Sequence, residues 1–238
     1  MKHLKTHGFF KIRCMPFWYV CVVEALAKMK ARKFRKLFLK AARNGDPKRW
    51  DGKRKINDVH PDDVLYDMIT KPVRDMTKKL GLLDVVGGSG SREVGACSLL
   101  KSLPVPIDKP IFQGMHADMS PYFDWGDEFG LSTITAGSTG AEIHIYPGSF
   151  DGGVGSGQAV SVTLEAGETC VLNGLSRHRG VSYPNENHRF FVSFVVRRAV
   201  GKANKDRLGQ SVNALQHRDY VEGEVVIPFD QWVRSILS

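Results

Sequence analysis

The sequence predicts a mainly β domain, a sandwich or jelly roll, preceded by a basic helical segment. Three observations carry this expectation. From about Leu82 onward, short runs rich in Val, Ile, Thr and aromatic residues alternate with Gly, Pro and Asn, the texture of serial strands joined by tight turns. The first 60 residues hold 17 Lys/Arg against 4 Asp/Glu while the rest of the chain holds 17 against 21, so the formal charge of +9 belongs to the N-terminal segment. At 238 residues, the chain is long enough for one sizeable core and such an extension. The division that follows is a basic helical arm over 1–81 and a β domain over 82–238.

In the arm, Val23, Ala27, Lys30, Phe34, Leu37, Phe38 and Ala41 recur at spacings of three and four, which predicts a helix with one apolar side, stopped at Asn44-Gly45. A second helix is expected from Asp58 or Pro61. Its buried side is Val64, Leu65, Met68, Ile69, Val73 and Met76, with Pro72 kinking or dividing it and Gly81 ending it. Gly87–Ser91 reads as a flexible connection and fits neither a P-loop nor a G-x-G-x-x-G fingerprint. Strands are then predicted at Ile111–Met115, Leu131–Ala136, Ala141–Tyr146, Ala159–Leu164, Glu168–Leu172 and Arg189–Val196. The glycine-rich stretch Asp151–Gly157 reads as a loop near the site or a plain connection.

The longest early apolar run, Met15–Val23, is too short to span a bilayer, and Glu24, Lys28, Lys30 and Arg32 spoil it as a secretory signal. The four cysteines are scattered without a C-x-x-C pair, so reduced structural thiols are expected. These features place the chain as intracellular and cytoplasmic, with the basic N-terminus compatible with organellar or nuclear import. The same charge suits nucleic acid, an anionic surface, or a plain solvated helix face.

His-x-Asp occurs three times, at His60, His116 and His217, so the tripeptide alone carries little. Asp62 falls in a helix first turn, where a carboxylate suits the helix dipole, and no histidine follows His217. His116-Ala117-Asp118 instead follows an apolar strand, and His178 lies sixty residues beyond Asp118. Residues two apart in a strand share a face, so His116 and Asp118 can address one ion. Two imidazoles and one carboxylate leave three positions of an octahedral ion open, the arrangement that suits non-haem Fe(II) and O₂. An ordinary buried histidine is the competing explanation for His178.

Arg189 opens an apolar strand eleven residues after His178, and Phe191 and Ser193 share its face. An inward guanidinium needs an anion, and its planar fork fits the distal carboxylate of a dicarboxylic keto acid, to which Ser193 adds a hydroxyl. A protein acid is the competing partner. Glu142, His144 and Tyr146 alternate on one strand face, which either lines a cavity or meets solvent.

Taken together, Gln113-Gly-Met-His116-Ala-Asp118, Ala141–Tyr146 with Pro147-Gly148-Ser149, Ala166-Gly167-Glu168, His178-Arg-Gly180 and Arg189 resemble the Fe(II)/2-oxoglutarate-dependent dioxygenase superfamily over roughly residues 95–198. The resemblance implies a double-stranded β-helix (a cupin-like jelly roll) with N-terminal helices on the larger sheet. It also implies His116, Asp118 and His178 on Fe(II), 2-oxoglutarate held by Arg189 and Ser193, and O₂-dependent oxidation of an organic substrate with release of succinate and CO₂. Hydroxylation is the usual outcome; Asp118 disfavours halogenation.

Phe150 stands where phytanoyl-CoA-hydroxylase-like members often have His, and Phe191 breaks the Arg-x-Ser pattern of the plant small-molecule enzymes. Val195 replaces the second Arg of AlkB-like demethylases, and Arg at 189 differs from the Lys of collagen-type prolyl hydroxylases and JmjC demethylases. Two alternatives stand beside the enzyme. One is a non-catalytic jelly-roll protein binding nucleic acid or a partner through its arm, the other a cupin-like metal enzyme that does not use 2-oxoglutarate.

Overall fold

The structure, a computed structural model, describes residues 2–13, 16–30, 32–36, 54–79, 92–108, 115–118, 130–149, 158–196 and 225–237. Two sheets face each other. The larger has seven strands in the order β1-β8-β5-β10-β4-β3-β2: β1 (Phe9–Ile12), β2 (Arg35–Lys36), β3 (Arg54–Asp58), β4 (Arg92–Ser102), β5 (Leu131–Ala136), β8 (Thr169–Asn173) and β10 (Asn187–Val196). The smaller has four in the order β11-β7-β6-β9: β6 (Ala141–Ile145), β7 (Ala159–Leu164), β9 (His178–Gly180) and β11 (Val226–Pro228). Among the described residues, four helices accompany them: α1 (Lys2–His7), α2 (Pro16–Lys30), α3 (Val64–Lys79) and α4 (Phe229–Leu237). The result is the predicted mainly β jelly roll.

Alternation sorts the side chains into two cores. Leu99, Phe190, Val192, Phe194 and Val171 leave the outer face of the large sheet and meet Val22, Ala25 and Met29 of α2 and Leu65, Ile69, Val73 and Met76 of α3. The opposite faces of β5 and β8 carry Ile134, Ala136, Cys170 and Leu172, which pack between the sheets on Ile143, Ile145, Val160, Val162 and Leu164. Helix α4 joins this second core: Trp232 stacks on Phe9 at 5.0 Å between centroids and touches Phe229 at 6.1 Å. Cys97 and Cys170 are buried and unpaired, and burial pushes both thiols up to about 12.

β5 and β7 have the predicted bounds, and β6, β8 and β10 differ from them by one or two residues. Residues 111–114 of the predicted strand Ile111–Met115, the Gly87–Ser91 connection, the Asn44-Gly45 stop and the loop over 151–157 lie outside the described residues, and Met115 itself is not in a strand. The arm departs further from expectation. Its first helix spans Pro16–Lys30 rather than reaching Ala41, and Arg35–Lys36 pairs with β3 as a strand. The buried stripe is Val22, Ala25 and Met29, while Val23 is 48% exposed. Residues 17–23 are apolar on every side, so periodicity cannot choose the face; the packing against α3 does. The second helix begins at Val64 and buries Leu65, Ile69, Val73 and Met76, but Val64 itself is exposed. Pro72 sits inside this helix without dividing it. Residues before 82 are therefore not helical throughout, since β1, β2 and β3 extend the same large sheet that α2 and α3 cover.

Candidate metal centre

The local structure around His178 starts at the end of β8. Asn173 closes the turn that follows, accepting Leu175 N at Oδ1 (3.0 Å) and Ser176 N at its carbonyl (2.8 Å). Ser176 Oγ donates to Gly8 O at 2.9 Å, which ties the turn to the start of β1. His178 then pairs with His116 through reciprocal backbone bonds, His116 N to His178 O at 3.0 Å and His178 N to His116 O at 2.8 Å. This bridge brings the two imidazoles to 4.5 Å between ring centroids.

His178 Nδ1 lies 3.0 Å from Ser176 O, so this nitrogen carries the proton and donates it, leaving Nε2 as the lone-pair atom. Asp118 Oδ1 stands 3.6 Å from His178 Nε2 and 4.0 Å from His116 Nε2. One donor atom from each of the three residues lies within 4.8 Å of the other two. Donors sharing one ion at about 2.0–2.2 Å each stand no more than about 4.4 Å apart, so both carboxylate–imidazole separations suit a common ion. Asp118 Oδ2 is buried with no hydrogen-bond partner among the described residues. An unpaired buried carboxylate oxygen is costly, and a cation is what would offset it. The donor set therefore fits a divalent transition metal with open positions.

A second polar cluster lies along the same inward face. The register pairs Arg189 with Ala136 and Leu100, and Ser193 with Ser132 and Ala96. Ala136 and Ile134 point between the sheets, so Arg189, Phe191 and Ser193 do too. Arg189 is 5% exposed. Its Nη2 donates to Ser102 Oγ at 2.6 Å and its Nη1 to Tyr183 OH at 3.1 Å, while Nε has no partner. Among the described residues no carboxylate pairs with it. Tyr183 OH donates in turn to Glu142 O at 2.7 Å, fixing the hydroxyl that faces the guanidinium. Ser193 stands four residues along β10 from Arg189, roughly 13 Å away. The hydroxyls at the guanidinium are those of Tyr183 and Ser102. Ser193 and Ser132 lie toward the end of the sandwich where the 174–177 turn delivers His178, since Leu131 pairs with both Phe194 and Asn173. Phe191, between the two ends, and Leu100, level with Arg189, are only half-buried despite facing inward.

This two-sheet fold has solved counterparts. A Pseudomonas putida prolyl-4-hydroxylase superposes with a TM-score of 0.56 at 15% identity, over 83% of this chain and 96% of that one. A Burkholderia pseudomallei oxidoreductase of the 2OG-Fe(II) oxygenase family gives 0.53 at 13% identity, over 81% and 86%. HygX from Streptomyces hygroscopicus, with nickel, 2-oxoglutarate and hygromycin B bound, gives 0.54 at 12% identity, over 80% and 84%. This is the fold of the 2OG-Fe(II) oxygenases. No protein-family model and no curated protein matches the sequence itself.

On this oxygenase fold, Glu142 and His144 do not point between the sheets. Their neighbours Ile143 and Ile145 point between the sheets, so Glu142 and His144 leave the other face with Ser161 and Arg179. There His144 Nε2 meets Glu142 Oε1 at 2.9 Å, a contact that holds the Glu142 carboxyl below its usual range. Sequence reasoning missed Tyr183 and Ser102. Ser98 and Ser102 alternate with Cys97 and Leu99 in a readable strand pattern, but nothing local in Val181–Pro184 marks Tyr183 as a partner of Arg189. No helix of the described residues is long and apolar enough to cross a membrane.

Proposed function

We propose that this chain is an Fe(II)- and 2-oxoglutarate-dependent oxygenase that hydroxylates an organic substrate. The observation that carries the reading is the pairing of two features between the same two sheets. Three donor atoms from segments sixty residues apart converge there, and a buried arginine with no acidic partner among the described residues points into the same space from the large sheet. His116, Asp118 and His178 would hold the metal, and Arg189 would hold the distal carboxylate of the keto acid with Tyr183 and Ser102. When bound, the metal and cosubstrate supply the oxidation: O₂ and 2-oxoglutarate are consumed, one oxygen atom enters a C–H bond, and succinate and CO₂ leave.

The chain's own part is electrostatic and geometric. Asp118 supplies the one negative charge among the three donors, which leaves net positive charge for an anionic chelator. The Ser176 carbonyl keeps His178 in the tautomer that can ligate. Tyr183, anchored on the Glu142 backbone, presets the guanidinium before any carboxylate arrives. Ser193 and Ser132 would meet the metal-bound end of the keto acid or the substrate. The cation at Arg189 speaks against a metal enzyme without 2-oxoglutarate. The coexistence of both features speaks against a non-catalytic jelly roll. Structural neighbours include proteins solved with a bound peptide fragment or hygromycin B, and the substrate here is assigned only as an organic C–H donor.

Anaerobic titration with Fe(II) and 2-oxoglutarate should produce a weak visible charge-transfer band. Arg189→Met should raise the 2-oxoglutarate concentration needed for it about 10- to 100-fold, the cost of a charge-assisted hydrogen bond. A band and succinate yield unchanged in that variant would remove the cosubstrate assignment.

A further inference from the structure

Arg54 belongs to the segment read from sequence as a helical arm, yet it is 2% exposed and sits on β3. Its register partner is Ser102, which in turn pairs with Asn187. Ser102 points inward to Arg189, so Arg54, directly opposite it, leaves the same face. From there its Nη2 crosses the gap between the sheets and donates to Gly180 O at 2.8 Å, a contact between residues 126 apart in the chain. Gly180 closes β9, two residues after His178.

Strand β9 is short for an element that carries a donor to the candidate centre. It is three residues long, pairs with β6 through Gly180, Arg179 and His178, and on its other side bridges to His116. Hydrogen bonds donated by a charged group are worth roughly twice neutral ones, so a guanidinium on its last carbonyl adds to what fixes it. That bond also ties β9 to the sheet carrying Arg189.

We propose that Arg54 is a positioning residue: by gripping Gly180 from the opposite sheet it sets where β9 places His178 relative to His116 and Asp118. The inference rests on the metal reading above. It makes the N-terminal segment part of the site, since β3 reaches across the sandwich to the metal-bearing strand.

The test uses the full chain and Co(II), whose visible absorption reports ligation without turnover. Wild type, Arg54→Met and Arg54→Lys are titrated, with Lys11→Met as a control that loses a different long-range brace, from Lys11 to Glu168 and to Thr163 O. Arg54→Met should bind Co(II) about tenfold more weakly, the usual loss when an outer-shell partner is removed, with an altered band shape at saturation. Arg54→Lys should fall between, and Lys11→Met should lose thermal stability while keeping wild-type affinity. If Arg54→Met melts earlier but binds Co(II) as wild type does, Arg54 is a structural brace only and the proposal is overturned. Should Arg54→Met fail to fold, Arg54→Lys decides: wild-type affinity and band shape in that variant overturn the proposal. Absence of Co(II) binding by wild type itself overturns the metal reading, and the role of Arg54 with it.

Discussion

Asp118 keeps one carboxylate oxygen buried without a hydrogen-bond partner among the described residues, and turns the other toward two imidazoles. On the proposed reading, removing this acid would leave two neutral donors and no charge match for a dication. Asp118→Ala should therefore weaken Co(II) binding by more than about 100-fold, beyond the usual outer-shell loss. The absorption titration used for Arg54 reads this directly, and retained affinity would mean that the ion is held elsewhere. Elsewhere between the sheets, Tyr183→Phe removes one hydroxyl from the Arg189 guanidinium and leaves the ring that packs 5.1 Å from it. A few-fold rise in the 2-oxoglutarate requirement is expected, with Co(II) affinity in the absence of keto acid unchanged. A loss of Co(II) affinity instead would place Tyr183 in the metal's surroundings. These residue types and their spacing could be read from the chain. The partners of Arg189 could not, because Ser102 is 87 residues away and meets it only after β4 and β10 have paired.

Among the elements, α3 shows how a local signal and a distant one combine. Asp63 caps it, accepting Leu65 N at 2.9 Å, and also pairs with Arg32 through both carboxylate oxygens. Arg32, and secondarily the Leu65 amide, hold the Asp63 carboxyl below its ordinary value against the opposing effect of burial. The folded-state pKa is therefore lower than the unfolded one, near 3.9. Its contribution to stability is complete above that value and is lost as pH falls through the folded pKa. Asp63→Ala should cost about 1–2 kcal/mol at neutral pH and less in acid. Asp63→Asn retains the cap and should remove most of that pH dependence. Denaturant midpoints across pH 2–7 would show it, and parallel curves for wild type and Asp63→Asn would refute it. The helix itself was legible from its 3.6-residue pattern. For α2 the apolar residues wrap right round the first half, and the contact with α3 chose Val22, Ala25 and Met29 over Val23 and Ala27.

For the whole molecule, His178 belongs to the small sheet and Arg189 to the large one, so a ligand that meets both should stabilise the two sheets together. At a hundredfold excess over its dissociation constant, a bound ligand adds about 2.7 kcal/mol, or roughly 5–10 °C in a chain of this size. Anaerobic thermal scans should show that Fe(II) and 2-oxoglutarate together raise the midpoint more than the sum of each alone, and that a chelator reverses the gain. An equal 2-oxoglutarate effect with and without metal would show that the keto acid does not reach the ion. The N-terminal segment shares in this coupling, since β1 and β3 are strands of the large sheet.

What the chain alone determined is local. Alternation marked β5, β7 and most of β10, because a strand's two faces are written at a period of two. His116, Asp118, His178 and Arg189 stood out because their side-chain chemistry and spacing need no partner to be read. Tertiary structure decided which faces turn inward, that three donor atoms meet within 4.8 Å, that Glu142 and His144 turn away from the space between the sheets, and that Arg54 reaches Gly180. Those facts depend on strand order and register between segments far apart in the sequence. No periodicity within a segment encodes which distant strand becomes its neighbour.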